Sequence, residues 1–183
     1  VSETATSVTR QRNHDVAFSV GANLGEREVT LNAALDRLAM EDGLDITGVS
    51  AFYDSAPWGG IDQPSFINLC AVGRTTLSPH AVLKVCKALE SELGRSPGLR
   101  WGARAIDIDL LYYDDRSLSD RSLTLPHRHL FERAFVLEPL AEIAGERVIG
   151  GRRVVDALAV LPRTSGDVTR RDPGQTASRN EGA

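Results

Sequence analysis

Two aspartates in the run AIDIDLLYY (105–113) are the residues best suited to chemistry in this sequence. Because side chains i and i+2 of a strand face the same way, Asp107 and Asp109 should project side by side, with Ile106 and Ile108 facing the core. Adjacent carboxylates raise each other's pKa unless a cation neutralises them. Such oxygen ligands favour Mg²⁺ that is shared with substrate phosphates. The competing interpretation is an amphipathic strand with a solvated acidic face.

Three arginines stand just ahead of this acidic pair, at Arg95, Arg100 and Arg104 in the predicted loop RSPGLRWGAR (95–104), which also contains Trp101. One arginine side chain can bind two phosphate oxygens at once, and arginines together with Mg²⁺ neutralise a polyphosphate. The combination favours a nucleoside triphosphate as the substrate over a merely solvated acidic strand.

A second predicted loop, SAPWGGIDQPS (55–65), contains Trp58 and leads directly into Phe66 and Asn68. Long loops of compact domains often carry functional residues. Phe66 and the distant Phe135 could be ordinary core residues, and from the residues alone that is the favoured interpretation. Two aromatic faces could also stack on a flat heterocycle.

The segment TLPHRHLFERAF (124–135) adds His127, which could contact a phosphate or a ribose, or could be a plain surface histidine. We do not expect a zinc site. Cys70 and Cys86 lie on a predicted strand and a predicted helix, without the spacing of zinc ligands.

The elements that must position these residues follow from hydrophobic periodicity and turn residues. We predict strands over residues 15–21, 44–54, 66–76 and 105–113, and helices over 26–40, 79–94, 132–144 and 153–161. The order β-α-β-β-α-β predicts an α+β, ferredoxin-like core with an antiparallel sheet. The two C-terminal helices are then available for the second face of the sheet, which gives three αβα layers.

Composition and charge exclude several classes of protein. The 183 residues carry a net charge of −4 and only two cysteines, which favours a reducing cytoplasm and disfavours nucleic-acid binding. No apolar run is long enough to cross a bilayer, and the N-terminus does not resemble a secretion signal. Residues 1–14 and 163–183 are nearly free of large apolar side chains, so we predict disordered tails around a single domain at 15–162.

Two other classes of protein share part of this pattern. A nucleotidyltransferase of the polymerase-β type also uses a pair of strand aspartates, but it needs Gly-Ser or Gly-Gly about ten residues earlier, where this chain has Gly94-Arg95 and Gly98-Leu99. A ferredoxin-like RNA-binding module would need exposed strand aromatics and a basic surface. The net charge disfavours the second alternative, and the absent glycine pair disfavours the first.

Five segments in order resemble the 6-hydroxymethyl-7,8-dihydropterin pyrophosphokinase family of folate biosynthesis. They are GANLG, SAFYDSAPWG, DQPSFINLC, ELGR…RWGARAIDIDLL and LTLPHRHLFERAFVLEPL, and they span roughly residues 16–160. The resemblance implies a ferredoxin-like enzyme that moves pyrophosphate from ATP to the hydroxymethyl group of the pterin and releases AMP. It implies two Mg²⁺ ions, ATP and the pterin as small-molecule substrates, and no membrane or nucleic-acid partner. We expect a cytoplasmic monomer.

The resemblance also implies roles for individual residues. Asp107 and Asp109 would bind the Mg²⁺ ions, Phe66 and Phe135 would sandwich the pterin ring, and Asn68 would form hydrogen bonds with it. The backbone of Ser55 and Trp58 would complete the pterin pocket.

Further residues match the ATP site of the family. Those that would line the site or close over it are Glu90, Arg95, Trp101, Arg104, Leu110, Thr124, His127 and Arg133. Among them, Arg95 and Arg104 would stabilise the charge on the transferring group. The chain departs from the family at Lys87, where we expect a neutral amide, and in the 95–104 loop, which is one residue shorter.

Overall fold

The computed structural model describes residues 13–57, 63–94, 104–162 and 168–172. Its strands are β1 His14–Ala22, β2 Leu44–Val49, β3 Tyr53–Ser55, β4 Phe66–Thr75, β5 Asp107–Tyr113, β6 Leu118–Ser119, β7 Thr124–Leu125, β8 Val148–Ile149, β9 Arg152–Arg153 and β10 Val168–Arg170. Its helices are α1 Arg27–Ala39, α2 Pro79–Glu92, α3 Ala134–Ala144 and α4 Val154–Ala159, with a 3₁₀ turn at Leu130–Glu132.

The main sheet has the order β10-β3-β4-β1-β5, and β2 also pairs with β4. All of these pairs are antiparallel. Near the end of β1, Gly21 lies opposite Asn68 of β4 on one side and Asp107 of β5 on the other. The register therefore brings residues from three separate segments to one end of the sheet.

Helices cover both faces of this sheet, as the predicted three-layer αβα arrangement requires. One core packs Leu31 of α1 and Val82 of α2 against Phe18 of β1. The other packs Leu137 of α3 against Ala17 of the same strand. The prediction of an α+β, ferredoxin-like fold is confirmed.

Helix α2 begins where the sequence predicts. The Ser78 hydroxyl accepts a hydrogen bond from the Ala81 N–H, and Pro79 occupies the first helical turn. This is a favourable start because the hydroxyl satisfies an otherwise unpaired amide and proline needs no partner there. Helix α3 begins at Ala134 instead of residue 132, because residues 130–132 form the 3₁₀ turn, and it continues through Pro139.

The single strand predicted over 44–54 is wrong. Two strands occupy that range, with β2 paired to residues 71–75 of β4 and β3 paired to residues 66–68. At the break, the Ser50 hydroxyl accepts the Cys70 N–H at 2.9 Å, in place of a backbone carbonyl. A serine side chain that competes for backbone partners interrupts regular pairing in this way.

The predicted tails are wrong at their inner ends. His14 begins β1, and Val168–Arg170 pairs with β3 as β10. The composition argument counts apolar side chains, whereas β10 is held by backbone pairing and by ion pairs of Arg170 and of the adjacent Arg171. The rest of the predicted tails, at 1–12, 163–167 and 173–183, lies outside the described residues.

No helix in the described part of the chain is both long enough and apolar enough to cross a membrane.

Candidate active site

A cavity of about 280 Å³ opens where β1, β4 and β5 meet. Many of the predicted site residues line it. They are Ser55, Phe66, Asn68, Arg104, Asp107, Asp109, His127, Arg133 and Phe135. The cavity thus brings together residues that the sequence separates by up to 80 positions.

The acidic wall of the cavity is formed by Asp107 and Asp109, whose side chains are 30% and 29% exposed. Ile106 and Ile108 are fully buried on the opposite face, as the strand periodicity predicts. Arg104 donates a hydrogen bond from Nη1 to Asp107 Oδ2 at 2.9 Å.

Two further cationic or titratable groups approach Asp109. Arg133 Nη1 lies 3.8 Å and His127 Nε2 lies 3.7 Å from Asp109 Oδ2. Burial raises the pKa of Asp109, and the neighbouring charge of Asp107 raises it further. A carboxylate in this position is stabilised by an added positive charge, because the low-dielectric surroundings and the second carboxylate both oppose its ionisation.

The acidic wall offers a metal ion the two carboxylates of Asp107 and Asp109. Within residues 13–57, 63–94, 104–162 and 168–172, no group of three or more His, Cys, Asp and Glu side chains is placed to hold a metal ion. A pair of carboxylates fits Mg²⁺, which usually takes one or two carboxylates and completes its shell with waters and substrate phosphates.

His127 is oriented by its own backbone surroundings. The backbone N–H of His127 donates to the Leu111 carbonyl at 2.8 Å, and its ring Nδ1 accepts a hydrogen bond from the backbone N–H of His129 at 3.3 Å. The proton of the neutral ring therefore lies on Nε2, which faces Asp109. Burial, with help from the nearby Arg133 charge, lowers the pKa of His127 to about 4, so the ring is a neutral donor at pH 7.

A second cavity of about 230 Å³ adjoins the first and shares Asp109 and His127 with it. Leu110 and Thr124, both predicted at the ATP site, line this second cavity. Lys87 also lines both cavities. The predicted nucleotide residues thus extend away from the paired aspartates on the side of β7.

Glu90 is buried behind this wall, with its side chain only 1% exposed. Its Oε1 accepts the Ile108 N–H at 2.8 Å, and both of its carboxylate oxygens accept from Lys87 Nζ at 2.9 Å. Burial raises the pKa of Glu90, while these hydrogen bonds oppose that shift. In this structure Glu90 joins α2 to β5 and so supports the strand that carries the two aspartates.

The opposite wall of the first cavity is aromatic and amide in character. Phe66 and Phe135 are half-buried there, and the Arg133 guanidinium lies 5.5 Å from the Phe135 ring centroid. Asn68 is 3% exposed and donates from Nδ2 to the Ser55 hydroxyl at 2.8 Å. A flat ring between the two phenyl groups would meet a fixed polar edge at Asn68 and Ser55.

Asn23 links two segments that carry site residues, and no motif in the sequence marks it for this role. Its Oδ1 accepts the Arg104 N–H at 2.8 Å, while its Nδ2 donates to Gln63 Oε1 and to the Pro64 carbonyl, both at 3.1 Å. This buried amide therefore links the segment before Phe66 to the segment before Asp107. Its position in the turn GANLG was a weak signal, because glycine-rich turns commonly serve only as connections.

Three predicted site residues lie outside the described residues. They are Trp58, Arg95 and Trp101.

The fold and the site together define an α+β protein whose acidic and arginine-rich wall suits a phosphorylated ligand, next to a pocket for a flat ring. A family model described as 7,8-dihydro-6-hydroxymethylpterin-pyrophosphokinase (HPPK) matches residues 17–145. This chain belongs to that family.

Named relatives agree with this assignment. The chain is 47% identical over 144 residues to the 2-amino-4-hydroxy-6-hydroxymethyldihydropteridine pyrophosphokinase of Methylorubrum extorquens, covering 79% of this chain and 91% of the relative. It is 37% identical over 131 residues to the Bacillus subtilis protein of the same name, covering 72% and 78%. It also matches a mitochondrial folate synthesis bifunctional protein of Arabidopsis thaliana at 39% identity over 150 residues, covering 80% of this chain and 27% of the relative.

Solved structures support the fold. The Plasmodium falciparum HPPK-DHPS wild type with pteroate superposes with a TM-score of 0.64 at 14% identity, over 81% of this chain. This chain spans only 42% of that longer one. At this identity the likeness concerns the fold alone.

Proposed function

We propose that this protein transfers the pyrophosphoryl group of ATP to the hydroxymethyl group of 6-hydroxymethyl-7,8-dihydropterin, giving the pterin diphosphate and AMP in folate biosynthesis. Membership of the HPPK family and the names of its relatives support this function. The observation that carries it is that paired aspartates, two phenylalanines and a buried amide line the same cavity.

In this proposal the pterin ring lies between Phe66 and Phe135. Aromatic side chains stack on flat heterocycles in offset arrangements, and the Arg133 cation beside Phe135 limits the movement of that phenyl ring. Asn68 and Ser55 provide the polar edge that selects a ring with hydrogen-bonding atoms. The resemblance to the family assigns the backbone of Trp58 to this pocket as well.

Asp107 and Asp109 are the protein ligands of two Mg²⁺ ions in this proposal. Bound Mg²⁺ would neutralise the triphosphate and polarise the phosphorus that is attacked. Around the aspartates, Arg104 and Arg133 add fixed positive charge, and the Nε2–H of His127 adds a neutral donor. The nucleoside extends into the second cavity past Leu110 and Thr124. The resemblance to the family assigns Arg95 and Trp101 to the nucleotide as well.

The reaction forms a bond between the substrate hydroxyl oxygen and the β-phosphorus of ATP. The bond between that phosphorus and the oxygen bridging to the α-phosphorus breaks, and AMP leaves with the electron pair. The hydroxyl proton passes to solvent, and we assign no side chain as a general base. Catalysis then consists of positioning and charge stabilisation, as in other phosphoryl transfers.

We extend the proposal to the whole chain. The folded domain, which runs from His14 of β1 to β10 at Val168–Arg170, acts as a monomer in the cytoplasm. The low cysteine count supports this location. Analytical ultracentrifugation should give the mass of one chain, and a dimer at micromolar concentration would contradict the proposed monomer.

The experiment that tests the function incubates the protein with ATP, Mg²⁺ and the reduced hydroxymethyl pterin and separates the nucleotides by chromatography. We expect AMP in amounts equal to the pterin diphosphate. Production of ADP, or of free pyrophosphate, would point to another transferase. The Asp109→Asn variant is the matched control, since it keeps the shape of the side chain and removes its charge.

A further inference from the structure

The C-terminal strand β10 lies on the outer edge of the main sheet, next to the strand that carries Ser55. It pairs antiparallel with β3 through Val168 and Ser55, Thr169 and Asp54, and Arg170 and Tyr53. Strand β3 has only three residues, and its other neighbour is the Phe66 end of β4. Without β10, β3 would become the edge strand of the sheet, and among the described strands its three residues would pair with β4 alone.

Arg171 fastens the end of β10 to two other elements. Its side chain is 12% exposed and forms ion pairs with Glu28 of α1 and, from Nε, with Asp54 Oδ2 of β3 at 2.8 Å. Its backbone N–H donates to the Phe52 carbonyl at 2.8 Å. One guanidinium therefore neutralises two carboxylates that would otherwise repel each other across the junction of helix and strand.

A parallel set of contacts joins β10 and β3 to α3. Glu142 accepts hydrogen bonds from the Tyr53 hydroxyl at 2.9 Å and from Arg170 Nη2 at 3.3 Å. Next to Glu28 in the first turn of α1, Arg27 donates to the Ser65 carbonyl at 2.8 Å. Neighbouring residues of α1 therefore contact both segments: Glu28 binds Arg171, which holds β3, and Arg27 binds Ser65, which precedes Phe66.

We propose that Arg171 and the strand β10 are positioning elements of the pterin pocket. They hold β3 so that the Ser55 hydroxyl meets Asn68 on the cavity wall. This inference rests on the proposed pterin site, but it assigns the C-terminal segment a part in substrate affinity. Residues 168–172 lie beyond the stretch matched by the family model, which ends at residue 145.

The inference predicts a selective effect of Arg171→Ala in the full chain. Removal of the guanidinium leaves Glu28 and Asp54 facing each other, so β3 and Ser55 should move. The acidic wall, with Asp107 and Arg104, belongs to another part of the cavity and should keep its geometry. We expect the KM for the pterin to rise about five- to tenfold, because Ser55 is no longer held opposite Asn68, while kcat and the KM for ATP stay within about twofold.

Two further variants make the test specific. Arg153 of β9 also pairs with two carboxylates, Glu146 and Asp156, but these lie after α3 and in α4, away from β3. Arg153→Ala is therefore the matched control and should leave all three constants unchanged. Arg171→Lys keeps the charge and loses the planar fork, so its KM should rise by an intermediate factor of about two to three. It also serves as the test if Arg171→Ala does not fold.

Hydrogen exchange of residues 53–55 supplies a readout independent of turnover, and it should quicken in Arg171→Ala and not in Arg153→Ala. Wild-type turnover of the pterin tests the proposed function alone, whereas the ratio of variant to wild type tests the role of β10. An unchanged KM for the pterin in Arg171→Ala, or equal losses in kcat and in both KM values, would overturn the inference. Unchanged exchange in β3 would overturn it even if the wild type turned over no pterin.

Discussion

Replacing Gly21 with alanine should disturb the amide edge of the cavity and little else. A Cβ at this position would lie 2.6 Å from Asn68 Oδ1, well inside the roughly 3.5 Å of van der Waals contact. Asn68 is buried and tied to the Ser55 hydroxyl at 2.8 Å, so its amide cannot turn away without breaking that hydrogen bond. The absence of a side chain at residue 21 is therefore what allows Asn68 to sit at the cavity wall.

The size of the effect follows from the cost of overpacking. Forcing one extra methyl group into a closely packed position costs about 1–3 kcal/mol in the free energy of unfolding. If about 1.4 kcal/mol of this disturbance falls on the contacts with substrate, the KM for the pterin rises about tenfold. The KM for ATP should change little, because the second cavity lies on the far side of Asp109.

Denaturant unfolding and steady-state kinetics measure the two effects. Gly48→Ala in β2 is the matched control, because its Cβ would lie 3.1 Å from Val72 Cγ2, away from the cavity. In the Asn68→Ala background the clash is absent, so Gly21→Ala should add almost no further loss of stability. Additive losses in the double variant, or an unchanged KM for the pterin in Gly21→Ala, would refute the steric reasoning.

Three other perturbations should have separable outcomes. Asn23→Ala should lower kcat about tenfold or more in steady-state assays, because it removes the acceptor that holds the Arg104 N–H. The same substitution should lower the free energy of unfolding by about 1–3 kcal/mol. Asp107→Asn and Asp109→Asn should each lower kcat/KM at saturating Mg²⁺ by about three orders of magnitude, which corresponds to roughly 4 kcal/mol of lost transition-state stabilisation. Thermal melts should show that both variants remain folded. Burial raises the pKa of Cys86 to about 12, above its unfolded value of about 8.5, so melting temperatures should fall as the pH rises from about 8.5 towards 12.

Each of these expectations has its own control. Thr75→Val loses two partly buried hydrogen bonds at the far end of β4. It should therefore lose stability like Asn23→Ala but keep its kcat. Near-normal turnover in either aspartate variant would remove the assignment of Asp107 and Asp109 as metal ligands. A Cys86→Ala variant with the same alkaline slope as the wild type would show that this thiol does not contribute to it.

The parts of this molecule that follow a simple period were predictable from the sequence. The alternation of Asp107 and Asp109 with buried isoleucines needs only the geometry of one strand, and the structure keeps it. The helical face of α2 likewise needs only the spacing of its apolar residues and a cap at Ser78. Both features are local, so neither depends on what the distant chain does.

Other features depend on contacts between distant segments, and local patterns do not report them. Asn23 holds residues 40 and 81 positions away, so its role appears only when the two segments meet. Strand β10 was missed because arginine ion pairs and backbone pairing hold it, whereas disorder was inferred from the lack of apolar residues. The break between β2 and β3 depends on one serine hydroxyl that takes the place of a backbone carbonyl.

The most direct test of the proposed function follows the phosphorus atoms of ATP. The wild-type protein is incubated with β-³²P-labelled ATP, Mg²⁺ and 6-hydroxymethyl-7,8-dihydropterin, and the labelled products are separated. Attack on the β-phosphorus in the cavity between Asp109 and Phe66 predicts that the label moves into the pterin diphosphate and that the released AMP is unlabelled. Label that remains in ADP, or that appears as free pyrophosphate while the pterin stays unlabelled, would contradict the account.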